Sequence, residues 1–385
     1  YLQQEVLSLS QFSVNGSQVQ AEKNQSLLTF LREVLHITSV KNGCAQGACG
    51  TCMVLVDGKP MKSCVLMTDQ LAGKAILTAE GLSGREKEIY AYAFAQAGAV
   101  QCGFCTPGMV ISAKALLDNN PNPTKQEIKQ AIRNNLCRCT GYQKIIEAIG
   151  LAADLLRNNT AVPHRDFSGL AGEAMHRLEA DEKTLGTAEY VDDMKIAGML
   201  FGSAVRSMQY ARARVLSIDT SKAKELPGVA AVLTAADIPG MKKIGHLKKD
   251  WDVLIPEGQI THCLGDPIVL IAARSREVLE QAKKMVEIKY EALPSLHTPA
   301  DALKEDAPWI HEGGNVLARE HLRRGDPDEK IRNSAFVVTN HYSTPFTEHA
   351  FLETETAIAL PDPEAPERIL IYCADQGIYQ TQKEC

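Results

Sequence analysis

Eight cysteines before residue 140 fall into two groups of four, and both groups have the spacing of metal ligands. The first is Cys44, Cys49 and Cys52 with Cys64 further on; the second is Cys102 and Cys105, followed by Cys137 and Cys139. A two-residue gap brings two sulfurs to one face of a turn, and a one-residue gap does the same in a more extended segment. Four converging thiolates suit iron or zinc. The first group decides between them. Gaps of four and then two residues, followed by a distant fourth cysteine, are the spacing that ligates a [2Fe–2S] cluster, and a zinc knot fits it poorly. The chain is therefore expected to carry two [2Fe–2S] clusters. A disulfide framework would need an oxidising compartment and usually a small domain, neither of which this pattern suggests. Cys263, Cys373 and Cys385 have no partner motif and read as inert thiols.

The first four cysteines need a scaffold of short strands and turns. Leu9 to Val14, Asn15-Gly16 and the run at Val19 predict a hairpin on a type I′ turn, and Ser26 caps a helix through about Leu35. Gly43, Gly47 and Gly50 interleave the cysteines and allow positive φ where the backbone curls to aim N–H groups at sulfur. The strand Met53 to Val56 and the Asp57-Gly58 turn then lead to Cys64. The second four need helix ends. From Glu86 to about Asn158 the pattern is helical: Tyr90, Ala93, Phe94 and Ala97 share a face, and a second helix opens at Pro107. Thr124-Lys125-Gln126-Glu127 is a capping box for a third helix through about Asn134, and Tyr142 to Leu156 is a fourth. The cysteines then sit at helix ends, where N-termini stabilise a cluster's negative charge.

The 385 residues are enough for several domains, and 45% of them are hydrophobic, enough for ordinary cores. A net charge of −6, with no basic run interleaved with aromatics, argues against nucleic acid or an anionic membrane as partner. No apolar run approaches the roughly 20 residues of a membrane span. The opening Tyr1-Leu2-Gln3-Gln4-Glu5 lacks both a basic and an apolar signal region, so a cytoplasmic address is expected. Because Tyr1 is not Met, residues or a targeting segment are allowed to precede it.

The segment 1–78 resembles a plant-type ferredoxin, a β-grasp fold. Its succession by a helical domain carrying Gln101-Cys102-Gly103-Phe104-Cys105 and Cys137-Arg138-Cys139-Thr140-Gly141-Tyr142 resembles the molybdenum hydroxylases, the family of xanthine dehydrogenase and aldehyde oxidoreductase. The resemblance implies a multidomain α+β chain. It would have a plant-type [2Fe–2S] ferredoxin domain over 1–78, a four-helix [2Fe–2S] domain over 79–158 and a linker over 159–180. An α/β hammerhead domain over 181–302 and the beginning of a molybdopterin-binding domain over 303–385 would follow. Gly186-Thr187-Ala188-Glu189-Tyr190-Val191-Asp192-Asp193, Leu226-Pro227-Gly228-Val229 and Gly265-Asp266 carry the hammerhead resemblance. In the last segment Phe336 to Asn340, Thr354 to Ala359 and Ile369 to Cys373 read as strands, and His349 with Glu353 reads as a packed turn rather than a metal pair.

By the same resemblance, Cys102, Cys105, Cys137 and Cys139 hold the cluster nearer a molybdopterin (Mo) cofactor, and Cys44, Cys49, Cys52 and Cys64 hold the outer one. Gln101, the backbone near Cys139 and Gln376 contact the cofactor. Read from residue type alone, Gln101 is also a candidate helix cap. The implied reaction is oxidative hydroxylation of an aldehyde or N-heterocycle with water as oxygen source, a carboxylate acting as general base, and electrons leaving through both clusters to an external acceptor. The expected base lies beyond Cys385, and neither Glu353 nor Glu355 is assigned to it. No nucleotide-phosphate motif is present and the linker has no room for an FAD domain, so flavin is expected on another polypeptide. Expected partners are a small-molecule substrate, an electron acceptor or flavoprotein subunit, the remainder of the molybdenum domain or a chain carrying it, and a second copy in a homo-oligomer. The rival reading is a dedicated electron-transfer subunit, which would not need residues 181–385; a chain with purely structural clusters is disfavoured.

Overall fold

Asn15 and Gly16 both take positive φ, 51° and 85°, so the chain reverses in two residues and β1 (Ser10–Val14) pairs antiparallel with β2 (Ser17–Ala21). This is the turn that an Asn-Gly pair encodes. The computed structural model describes residues 10–164, 168–173 and 175–385. Leu9 of the expected first strand, the opening Tyr1–Glu5, and Arg165 and Asp166 of the linker lie outside the described residues.

Ser26 accepts from the Thr29 N–H and caps α1 (Leu27–Thr29), which continues as a π-type turn over Phe30–Val34. β3 (Met53–Val56) and β4 (Lys59–Lys62) form a second hairpin on Asp57-Gly58, and β5 (Ala75–Leu77) completes a five-stranded sheet ordered β2-β1-β5-β3-β4. Only the β1–β5 pair is parallel. Phe12, Leu27, Phe30, Leu31, Val54 and Ile76 form its buried core under the helix.

Ser83 and Glu86 make a reciprocal capping box, so α2 (Gly84–Gln96) starts two residues before the expected Glu86. α3 (Thr106–Leu117) has Pro107 in its first turn, and the Thr124–Glu127 box opens α4 (Lys125–Ala131). α4 stops short of the expected Asn134. Its continuation is diverted because Leu136 donates its N–H to Cys49 O (2.7 Å) and Asn135 Nδ2 donates to Gly50 O (3.0 Å). α5 (Gln143–Arg157) follows Tyr142, whose left-handed φ of 70° turns the chain into the helix. Ile89, Phe94, Met109, Ile128, Ile145 and Ile149 lie in the core of these four helices. α6 (Ala180–Leu185) ends at Gly186 and packs against α2 and α3.

These elements, through Met194, belong to one compact unit together with Thr344–Gln376. The segment 186–193, grouped in the sequence with the domain after it, packs inside this first unit. The second unit spans Lys195–Ser343 and Gly377–Cys385. Within it β6 (Phe201–Arg206), β11 (Pro267–Ala273) and β8 (Val229–Leu233) form an antiparallel sheet. β7 (Ala213–Asp219) pairs with β12 (Glu287–Ala292), and β9 (Lys243–Ile244) with β10 (Trp251–Asp252). α7 (Ser221–Glu225) and α8 (Arg276–Met285) cover a core of Val215, Ile255, Ile268, Val269, Ile271 and Leu279. α9 (Pro299–Ala302) and α10 (Pro327–Arg332) are short.

Back in the first unit, β13 (Ala357–Pro361) pairs antiparallel with β14 (Ile369–Cys373), starting three residues later than the Thr354 expected from the sequence. α11 (Ile378–Glu384) lies in the second unit. The expected strand Phe336 to Asn340 does not form. No strand among the described residues pairs with it, so its N–H and C=O groups have no ladder to join, and Phe336 and Val338 stay 92% and 83% exposed. Among the described residues, no helix is long and apolar enough to cross a membrane.

Two glycines report how closely the ferredoxin-type and helical parts of the first unit meet. A Cβ on Gly108 in α3 would stand 2.6 Å from Gly50 O, whereas one on Gly150 in α5 would meet nothing within 4 Å. Gly108→Ala is expected to lower the unfolding free energy measured by urea denaturation by about 1–3 kcal/mol through overpacking. Gly150→Ala should raise it by up to about 1 kcal/mol through helix propensity.

Candidate metal centres

The loop after α1 curls on Gly47 and Gly50, both at φ 72°, and so presents backbone N–H groups to sulfur. Gln46 and Cys49 donate to Cys44 Sγ (3.4 Å each), and Gly47 donates to Cys64 Sγ (3.3 Å). Gly43 differs from expectation. It does not take positive φ; it is small because a Cβ there would stand 2.9 Å from Thr51 Oγ1 and 3.0 Å from Cys49 Sγ. At the second group, N–H groups of Phe104, and of Cys139 and Thr140, reach Cys102 and Cys137 respectively. Cys105 also stands at the N-terminus of α3, where the helix dipole favours negative charge.

At both centres the sulfurs come in pairs. Cys44 meets Cys49 and Cys52 meets Cys64. Cys102 and Cys139 lie 3.7 Å apart, and Cys105 meets Cys137. Among the described residues no three His, Cys, Asp or Glu side chains converge on a single-ion site. A lone tetrahedral zinc needs all four sulfurs equidistant at about 2.3 Å; two irons, each taking two thiolates, need two pairs. The donor set fits a two-iron cluster.

The free thiols divide between those that the site makes acidic and those that it keeps protonated. Burial alone would raise Cys44, but the N–H groups around it bring it down to about 7. The Cys105 thiol, helped by Thr140, lowers Cys137 to about 5 and is itself pushed well up in return. Burial pushes Cys52 and Cys102 up to about 12. Binding of iron as thiolate would therefore release protons from Cys52, Cys102 and Cys105.

A short bridge joins the centres. Cys49 O accepts from Leu136, the neighbour of Cys137, so one hydrogen bond links the ligand stretches. Asn135 braces it: Nδ2 donates to Gly50 O, and Oδ1 accepts from Ser112 Oγ (2.7 Å). Tyr142 Oη accepts from the Cys137 N–H (2.9 Å) and donates to Asn135 O (3.2 Å), fixing the turn between them. Asn135 and Tyr142 were legible as members of the Asn135-to-Tyr142 stretch, but their roles were not.

Gln101 is exposed and its carbonyl accepts from Arg177. It caps neither neighbouring helix, since α2 ends on Ala97 and α3 begins after Cys105. Cys139 is half-buried beside Cys102, next to Gln101, whereas Gln376 is exposed in the loop after β14. Sequence reasoning missed a buried ion cluster: Asp193 pairs with Arg32 (2.5 Å) and Lys41 (2.9 Å), all three largely out of water. Burial pulls Lys41 below the ordinary lysine range despite Asp193. The two cations hold Asp193 below the ordinary carboxylate range despite its own burial.

Comparison with known proteins matches four family models in succession. They are a 2Fe-2S iron-sulfur cluster binding domain over residues 12–78 and a [2Fe-2S] binding domain over 78–150. An aldehyde oxidase and xanthine dehydrogenase a/b hammerhead domain follows over 185–294, then a molybdopterin cofactor-binding domain over 310–385. The nicotinate dehydrogenase small FeS subunit of Eubacterium barkeri is 46% identical over 149 residues, 38% of this chain and 95% of that protein. The chain belongs to the molybdenum hydroxylase family. Similarity to this family's aldehyde oxidoreductase from Megalodesulfovibrio gigas is broader, 33% identity over 351 residues, or 86% of this chain and 38% of that protein. The solved structure of the aldehyde oxidoreductase from Desulfovibrio gigas superposes with a TM-score of 0.83 at 29% identity, covering 95% of this chain and 42% of that one. The chain thus spans less than half the length of these aldehyde oxidoreductases. The matched segments give the chain two [2Fe–2S] domains and molybdopterin-binding sequence, and no flavin domain is among the four matched.

Cys102→Ser and Cys52→Ser are each expected to remove one of two electron-paramagnetic signals and about half of the bound iron, leaving the other centre in place. Loss of both signals from a protein that still folds would show that the centres are not independent.

Proposed function

We propose that this protein is the iron–sulfur-bearing part of a molybdenum hydroxylase that oxidises an aldehyde or an N-heterocycle with water as oxygen source. Electrons pass from the molybdenum cofactor through the centre on Cys102, Cys105, Cys137 and Cys139 to the centre on Cys44, Cys49, Cys52 and Cys64. They leave to an external acceptor or flavoprotein subunit. The observation that carries this reading is the Cys49–Leu136 hydrogen bond (2.7 Å), which puts the ligand stretches of both centres on one short route. A dedicated electron carrier would share that route, but it would not need the hammerhead and molybdopterin-binding segments matched over 185–294 and 310–385.

The direction of transfer rests on the second centre. Its pair Cys105 and Cys137 is buried, and its pair Cys102 and Cys139 is half-exposed on the side that also carries Gln101. A pterin approaching that side would meet a side-chain amide, able to donate and accept, and the main chain at Cys139. Gln376 is the further candidate contact, on its position in Ala374-Asp375-Gln376-Gly377. When bound, the molybdopterin cofactor supplies the two-electron oxidation. The chain's own residues hold the cofactor edge and conduct single electrons away. Phe336 and Val338 in the second unit, each more than four-fifths exposed, favour further protein covering that segment, either the remainder of the molybdenum domain or a chain carrying it.

Iron and molybdenum analysis of the purified protein, followed by anaerobic addition of an aldehyde or an N-heterocycle, tests the reading. Four irons per chain, stoichiometric molybdenum in the protein or its co-purifying partner, and bleaching of both centres by substrate are expected. Four irons with no molybdenum, and bleaching by dithionite alone, would make the chain an electron carrier instead.

A further inference from the structure

The stretch Gly186–Asp193 does something that neither cluster ligation nor the hammerhead explains. Tyr190 points its hydroxyl into the second cysteine group and donates to Cys102 O (2.8 Å), while its ring packs edge-on against Phe104 at 5.4 Å. The approach depends on Gly103: at φ 85°, a Cβ there would stand 2.9 Å from Tyr190 Oη. On its other side the ring meets Lys41 Nζ, 4.6 Å from its centroid. Lys41 is fully buried and is held by Asp193, three residues beyond Tyr190, which also takes Arg32. One short segment therefore carries both a hydrogen bond to a ligand residue of the second centre and the single anion of a buried triad whose net charge is +1.

We propose that Tyr190, backed by the Lys41–Asp193–Arg32 triad, is a positioning residue that raises the reduction potential of the [2Fe–2S] centre on Cys102, Cys105, Cys137 and Cys139. The proposal rests on those cysteines holding the cluster. A [2Fe–2S] centre takes up one electron from its donor and passes one on, with no bond made or broken, and the reduced form carries one more negative charge. Hydrogen bonds and nearby charge are the levers a protein has on that equilibrium. The Tyr190 hydroxyl proton lies on the ligand residue's carbonyl, and the triad's net positive charge lies out of water where screening is weak, so both favour the reduced form, against the opposing charge of Glu353 on Cys102 and Tyr190 and of Glu80 on Lys41. The first centre has no such contact from Tyr190, so the hydrogen-bond effect is selective for the second, whereas Lys41 also reaches the first through Thr51, whose hydroxyl donates to Lys41 O and meets Cys49 Sγ.

Redox titration with dithionite and mediators, each centre followed by its own electron-paramagnetic signal, decides the matter. Tyr190→Phe keeps the ring and removes one oxygen. It is expected to cut the reduced-to-oxidised ratio of the second centre about tenfold at fixed potential, a fall of about 59 mV for one electron, with the first centre unmoved. Asp193→Asn removes the triad's anion and should shift the second centre in the opposite direction, upward. A Tyr190→Phe protein with both midpoints unchanged, or both displaced equally, overturns the proposal. So does an Asp193→Asn shift of the same sign as Tyr190→Phe, which would mean simple loosening. If Asp193→Asn does not fold, Tyr190→Phe alone decides. Absence of a second signal in the unaltered protein would be a different result, the failure of the cluster assignment itself.

Discussion

Packing negative sulfur into a protein interior is the constraint on which the first unit depends. A cluster with four thiolates is anionic, and burying uncompensated anion costs far more than any packing term recovers. The chain answers with groups that carry partial positive charge and cannot move away: N–H groups of Gln46, Gly47 and Cys49 at one centre, those of Phe104, Cys139 and Thr140 at the other, and the start of α3. Positive φ at Gly47, Gly50 and Gly103 follows from that demand, because only a backbone bent this way turns successive N–H groups inward. The compact sheet and the four helices are the supports that hold those bends.

The same reasoning covers the second buried charge problem. Asp193, Lys41 and Arg32 are distant in sequence and expensive to desolvate, and removing one member of such a set would cost roughly 3–5 kcal/mol by stranding the others. Their pairing fixes residues 186–193 against the ferredoxin-type sheet region and, through Tyr190, against the cysteine turn of the helical region. Ionic and redox structure thus share one segment.

What was legible in the sequence was local. The cysteine spacings, the Asn15-Gly16 turn, the Thr124–Glu127 box and the Ile369–Cys373 strand are each decided by a few neighbouring residues, and the structure has them. What escaped depends on partners far along the chain. The contacts of Asp193 with Lys41 and Arg32 escaped because those partners lie some 150 residues away and nothing in residues 186–193 announces them. α4 ends early because its continuation is claimed by Cys49 and Gly50. Phe336 to Asn340 has the composition of a strand, but a strand exists only when a neighbour accepts its ladder.

The hydrogen bond from Leu136 to Cys49 couples the two cysteine-bearing stretches. The turn that carries Cys137 and Cys139 takes its shape from acceptors at Cys49 and Gly50, on a loop formed more than eighty residues earlier in the chain. The shape of the second cysteine turn is thereby tied to the closure of the first loop, and a change that opens the loop at Cys49 and Gly50 is felt at Cys137 and Cys139.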